Sequence, residues 1–249
     1  MGKMQQALRK ADDVQTGGDG GANVVTGGGA SFIGGRFSRA DIDPRVVMMA
    51  APESPRADQF RGLREQLIEG TLAQGSKVLA VTSAVRKEGK SVTAANLACA
   101  LAEDTDKQIV LVDTDFLSPS QHSLMIVDND RGLSDYLKGG TMLELVLQRS
   151  RLPNLWVLPS GSTPTDPGEL LGGARMDDLM GRLRRDYDLV ILDCPPILGR
   201  SETSIITPRA DGTLVVVRMK STPRDRSLTA MAHLKQSQTN IIGTVLTDA

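Results

Sequence analysis

Six apolar runs recur along the chain: "KVLAVTS" (77–83), "QIVLVDTD" (108–115), "NLWVLPSG" (154–161), "DLVILDCPP" (188–196), "GTLVVVR" (212–218) and "NIIGTVLTD" (240–248). Each is nearly continuous Val, Ile and Leu, without the polar alternation of a strand that has one wet face. Such strands need cover on both sides, which a parallel sheet obtains from the helices of its crossovers. Helical patterns fall where that demands: from Lys90 onward, from Glu169 to Arg185, and from Arg224 to Ser237. Ahead of the first run, Ala57 to Leu72 puts Phe60, Leu63, Leu67 and Ile68 on one helical stripe. The pattern predicts an α/β, doubly wound, mostly parallel sheet with helices on both faces. No repeat with a period of about 20–50 residues is visible.

The ends are organised differently. Residues 1–13 form an expected short N-terminal helix, with Met4, Leu8 and Ala11 at helical spacing. Residues 14–42 form an expected flexible linker: nine of the nineteen residues from Gly17 to Gly35 are glycine, too few side chains to offset the entropy of ordering. Residues 43–249 are the expected folded domain. The apolar runs fall well short of the roughly 20 residues of a membrane helix, and the polar start is no signal peptide. A myristoyl signal at Gly2 would want Ser or Thr where Gln6 stands. The expected location is therefore cytoplasmic, with any membrane contact made through a partner. A net charge of −1 implies no broad nucleic-acid surface. The two cysteines, Cys99 and Cys194, lie in apolar runs and suit reduced, buried thiols.

The first apolar run leads through "AVRKE" into "GKSVTAANLACALAE", a strand, a loop and a helix in the context that a phosphate-binding loop requires. The tripeptide alone is a weak signal; the context is the stronger one. Ala84, Val85, Arg86, Lys87, Glu88, Gly89, Lys90, Ser91 and Val92 are the expected nucleotide-binding stretch. Loop amides and the helix start present partial positive charge, Lys90 can neutralise β/γ-phosphate oxygens, Ser91 can ligate Mg²⁺, and Gly89 lets the backbone approach closely. The loop departs from the general pattern at its first glycine, which is Ala84, and at a second common glycine position, occupied by Lys87. If position 87 needs φ > 0, lysine there costs on the order of 1 kcal/mol. The expected domain is thus of the P-loop NTPase type.

"VLVDTD" and "VILDCPP" both end apolar strands in aspartate, which in a parallel sheet brings Asp113, Asp115 and Asp193 to the carboxyl edge beside the loop. One or two carboxylates near Ser91 suffice for Mg²⁺, which keeps several waters. Trp156 reads as a core residue, His122 as a surface histidine, and Cys194 as a small buried side chain with no local base.

These residues resemble the bacterial tyrosine kinases of the CpsD/CapB/Wzc type, associated with exopolysaccharide and related to the MinD/ParA ATPases. The resemblance runs from about Asp43 to the end of the sequence. It is carried by "RADQFRGLREQL", "EGKSVTAANLACALA", "IVLVDTDFLSPSQH", "GLSDYLKGG", "LPNLWVLPSGSTPTDPGELLGGARMDDLM", "YDLVILDCPPIL" and "ADGTLVVVR" in that order. The leader "GKMQQALRKA" before a glycine linker is similar to the start of autokinases from exopolysaccharide operons. The resemblance implies ATP and Mg²⁺ as cofactors, Lys90 on the phosphates, and Ser91, Asp115 and Asp193 around the metal. It implies Asp113 as acceptor of the proton from a tyrosine hydroxyl or water, a role that suits phosphoryl transfer, where positioning and charge neutralisation dominate. It further implies a homo-oligomer packed through Asp58, Arg61 and Arg64, which share a helical face at i, i+3 and i+6, and a membrane chain-length regulator as partner at the inner membrane.

Besides Lys87, three features depart from the family pattern. Leu117 stands where an arginine is expected after "DTD"; the acid after the prolines is shifted to Glu202; and the tyrosine-rich C-terminal cluster is missing, since Tyr136 and Tyr187 are the only tyrosines. Transfer to its own tail is therefore not expected. Three readings remain at this point: a Mg-ATP-dependent protein-tyrosine kinase acting in polysaccharide biosynthesis and export, a nucleotide-binding scaffold with weak or no catalysis, and a MinD/ParA-like positioning ATPase. The third lacks its signature lysine, which would fall at Val85.

Overall fold

The computed structural model describes residues 42–248; the expected N-terminal helix and all but the last residue of the expected linker lie outside them. The elements run α1 (Val47–Ala50), α2 (Pro55–Glu69), β1 (Val78–Ser83), α3 (Lys90–Leu101), β2 (Ile109–Asp113), α4 (Gln121–Met125), α5 (Leu133–Leu137), α6 (Leu143–Val146), β3 (Gln148–Arg149) and β4 (Leu155–Leu158). They continue α7 (Pro167–Gly172), α8 (Ala174–Asp186), β5 (Leu189–Asp193), α9 (Glu202–Ile206), β6 (Gly212–Arg218), α10 (Arg224–Gln236) and β7 (Ile241–Thr247).

One seven-stranded sheet has the order β3-β4-β2-β5-β1-β6-β7. All six expected runs supply strands, and every pairing among them is parallel. The seventh strand, β3, is two residues long and antiparallel to β4. It carries too little pattern to be seen in sequence, as do the five-residue helices α4, α5 and α9.

The period of two along each strand separates two cores. Leu79, Val81, Ile109, Leu111 and Ile191 face α3, while Val78, Ala80, Val110, Val112 and Leu192 face α8 through Met176, Leu179, Met180 and Leu183. Small residues let α3 lie close to the sheet: Ala94, Ala95, Ala98 and Ala100 are fully buried. Ser54 caps α2 by accepting from the Ala57 amide at 3.3 Å. Asn96 of α3 pins the segment before α2, accepting from the Met48 amide at 3.1 Å and donating to the Arg45 carbonyl at 2.9 Å. Trp156, Cys99 and Cys194 are buried as expected, Tyr187 is buried as well, and both thiols are free.

This order seats β1 between β5 and β6 and β2 beside β5, so the carboxyl ends of β1, β2 and β5 meet at one edge. Asp113 and Asp193 pair directly across β2 and β5. No helix of the described residues is long and apolar enough to cross a membrane.

Candidate nucleotide site

The loop between β1 and α3 is held in a strained shape. Gly89, at the start of α3, has φ 94°, and Lys87 has φ 68°. The left-handed conformation at position 87 is the one that lysine adopts at a cost on the order of 1 kcal/mol. A side chain on Gly89 would also meet the Thr247 methyl at 3.4 Å.

What holds the loop is Glu88, whose side chain turns inward and is 2 % exposed. It accepts from the Val85 amide at 2.6 Å, from the Arg218 amide at 3.4 Å and from the Thr222 hydroxyl. The Thr247 hydroxyl donates to the Glu88 carbonyl at 2.8 Å. The loop is thereby fastened to the ends of β6 and β7. Not every residue of the expected nucleotide-binding stretch faces outward: Ala84 packs with Ile197 and Val215, Val92 packs against the α3 core, and the Val85 amide is engaged within the loop. Arg86 and Lys87 are exposed, and the Arg86 guanidinium donates to the Ser118 hydroxyl.

Below the loop, Lys90 and three carboxylates share a buried cluster. The Lys90 ammonium lies 2.9 Å from Asp115 Oδ2, 3.5 Å from Asp193 Oδ1 and 3.0 Å from Ser91 Oγ. Burial alone would lower its pKa; Asp193 and then Asp115 more than reverse that and hold it above the ordinary lysine range. Asp113 is fully enclosed. Its Oδ1 accepts from the Asp115 amide at 3.1 Å, and its Oδ2 accepts from the Ser120 and Gln121 amides, each at 2.9 Å. Burial, and next the Asp193 charge, push its pKa up to about 7, against the pull of those amides and of Lys90. Burial also pushes the Cys194 thiol up to about 12, so it is no nucleophile.

The donor set suits Mg²⁺. Asp193 Oδ1 is buried and accepts no hydrogen bond, and Ser91 Oγ and Asp115 Oδ2 lie beside the same ammonium. These are hard oxygens, the ligands Mg²⁺ takes. Among the described residues no group of three or more His, Cys, Asp or Glu side chains is arranged to hold a metal ion by itself.

Two residues of this site carry no signal in the sequence. Gln121 reaches both Asp193 and α3, and Thr222 receives Glu88 from 134 positions away. At the opposite end of α3, Arg61 meets Asp58 at 2.9 Å and Glu103 at 2.7 Å, while Arg64 meets Glu103 at 2.7 Å. His122, expected at the surface, is half-buried, with its Nδ1 enclosed.

A sequence model of the AAA domain family matches residues 76–242. Tyrosine-protein kinase YwqD of Bacillus subtilis (strain 168) is 32 % identical over 201 residues, covering 81 % of this chain and 84 % of YwqD. The chain belongs to the bacterial tyrosine-protein kinase family. Tyrosine-protein kinase Etk of Escherichia coli (strain K12) is 32 % identical over 78 % of this chain, which spans 27 % of Etk's length. The solved kinase domain of Etk superposes with a TM-score of 0.78 at 29 % identity, covering 82 % of this chain and 80 % of that one. MinD of Pyrococcus horikoshii OT3, solved with Mg-ADP, shares the fold, with a TM-score of 0.58 at 22 % identity over 68 % of this chain and 69 % of that one.

Proposed function

We propose that the chain binds ATP with Mg²⁺ and transfers the γ-phosphoryl group to a tyrosine of another protein, within the machinery of exopolysaccharide or capsule biosynthesis and export. The observation that carries this reading is the Lys90 ammonium held between Asp115 and Asp193 at the foot of a phosphate-loop turn. A buried cation beside two or three carboxylates supports the binding of a triphosphate with its metal. When bound, Mg²⁺ supplies neutralisation of charge on the β- and γ-phosphates. Ser91, Asp115 and Asp193 would hold it, and Lys90 would turn from the acids to the phosphate oxygens. The exposed Arg86 and Lys87 add positive charge at the mouth.

Asp113 is the proposed acceptor of the tyrosine proton, since a carboxylate with a pKa of about 7 is matched to proton transfer near neutrality. The Ser120 amide helps to cover it, so the segment from Ser118 to Ser120, ahead of Gln121, must shift for an acceptor hydroxyl to reach it. Both tyrosines of the sequence are buried, Tyr136 at 7 % and Tyr187 at 4 % exposure, which favours an acceptor on a different molecule. Assembly through Asp58, Arg61 and Arg64, a cytoplasmic location and recruitment by a membrane chain-length regulator complete the proposal.

The second reading, a nucleotide-responsive scaffold, is favoured by one observation: both oxygens of Asp113 are already engaged by backbone amides. Incubation of the purified chain with Mg²⁺, labelled ATP and a tyrosine-bearing acceptor protein separates the two. Phosphotyrosine that disappears in Lys90→Met is the expected result. Nucleotide binding without any transfer would contradict the kinase reading and leave the scaffold.

A further inference from the structure

Gln121 is fully buried on the first turn of α4, and it touches two of the three acids and the start of α3. Its backbone amide donates to Asp113 Oδ2 at 2.9 Å. Its side-chain Nε2 donates to Asp193 Oδ2 at 2.8 Å and to the Ser91 carbonyl at 3.0 Å. Both partners of that nitrogen are pure acceptors, so the amide has only one orientation that fits, and its two N–H bonds are both used. The same constraint turns Oε1 the other way, where it is buried with no partner among the described residues. A buried acceptor left without a donor is destabilising. A leucine at 121 would avoid that penalty, so the glutamine calls for a compensating role.

We propose that Gln121 is a positioning residue: it fixes the rotation of Asp193 and ties that acid to the start of α3, so that Asp193 Oδ1 and Ser91 Oγ stay turned toward one bound cation. Among the described residues, the Asp193 side chain accepts its one hydrogen bond through Oδ2 from Gln121, which leaves Oδ1 beside the Lys90 ammonium 3.5 Å away. Without the amide, the carboxylate can rotate about its last bond and offer either oxygen to Lys90. The carbonyl of Ser91 belongs to the residue whose hydroxyl is the expected metal ligand, so the Gln121 bridge sets the spacing between two ligands from different elements. Oε1 remains as an acceptor for the waters that hydrated Mg²⁺ retains. Outer hydrogen bonds of this kind change metal affinity by roughly 10- to 100-fold when removed.

The inference rests on the nucleotide reading above, and the test separates the two. ADP affinity is measured by calorimetry with Mg²⁺ and with chelator in place of Mg²⁺, for the whole chain and for Gln121→Met, which keeps length and loses both donors. Gln121→Asn keeps the amide but is one methylene too short to bridge. Melting curves accompany each. The expected result is that Mg²⁺ strengthens ADP binding in the parent chain and that both variants lose roughly 10-fold of that gain while binding ADP alone as the parent does. A gain unchanged within twofold in either folded variant overturns the inference, even if melting temperature falls, because a purely structural role would lower stability without altering the metal dependence. A parent chain that binds no ADP in either condition would instead overturn the nucleotide reading itself.

Discussion

Two charge clusters flank α3 and follow opposite rules. At its carboxyl end, Arg61 and Arg64 close around Glu103. Arg61 donates to both Glu103 oxygens, to Asp58 and to the Pro52 carbonyl, and Arg64 donates to Glu103, Glu65 and the Ala100 carbonyl. The network is satisfied and partly exposed to water. At its amino end, one ammonium faces three enclosed carboxylates, and Asp193 Oδ1 and Gln121 Oε1 lack hydrogen-bond partners among the described residues. A closed, wet network of ion pairs adds little stability and asks for nothing more. A buried cluster with surplus acid and orphaned acceptors is unfavourable by itself and is made good by an incoming cation. The contrast between them, more than either alone, supports the proposal that the second is the ligand site.

The largest effect that would break this contrast is at Lys90. Lys90→Met should lower phosphoryl transfer roughly 100- to 1000-fold, the loss typical of removing one group aimed at transition-state charge; rates from labelled ATP check it. A comparable loss on replacing Arg64 would erase the distinction between the clusters.

Next in size is the effect of pH. Because Asp113 stands at about 7 in the folded chain, kcat/KM should fall about tenfold per pH unit below that value if this carboxylate accepts the proton. The stability consequence has the opposite direction. A carboxyl whose folded pKa is raised binds more protons folded than unfolded between about pH 4 and 7, so its contribution to stability is present in acid and declines as pH rises through 7. Melts of the ligand-free chain over this range, compared with melts in Mg-ADP, should show the decline weakened by the bound cation.

Glu88 is intermediate. Glu88→Ala leaves the Val85 amide and Thr222 hydroxyl without their buried acceptor, at about 1–3 kcal/mol, and a chain of this size loses about 2–4 °C of melting temperature per kcal/mol. Nucleotide affinity should fall with it, since Lys87 keeps its left-handed turn only while the loop is fastened. A drop in melting temperature with unchanged affinity would show that the fastening matters to the fold alone.

The smallest effect belongs to the arginine cluster. Glu103→Gln should cost at most about 1 kcal/mol, in line with partly exposed ion pairs, and should leave Mg-ADP binding unchanged. Sedimentation of the same variant sharpens the comparison: an altered oligomer distribution would assign Arg61 and Arg64 to assembly.

The sheet was legible because strands buried on both faces leave long apolar runs, and the acids at their ends inherit their position from strand direction. Lys90, Ser91 and Asp193 are therefore readable from local pattern. Gln121 and Thr222 are not, because each acts through a hydrogen bond to a residue far away in sequence, Asp193 or Glu88, and neither residue type is unusual in a loop or short helix. The inward turn of Glu88 is hidden for the same reason: within "VRKEGKS" a glutamate reads as one more polar loop residue, and only the ends of β6 and β7 reveal what it holds. β3 escaped because two residues carry no period.

The most direct test of the central claim is a crystal structure of the chain with Mg-ADP. The account predicts a cation among Ser91, Asp115 and Asp193, phosphate oxygens at the loop, and a Lys90 ammonium that has left its 2.9 Å contact with Asp115 for the nucleotide. A chain that crystallises with saturating Mg-ADP yet keeps Lys90 on Asp115 and an empty loop would contradict it.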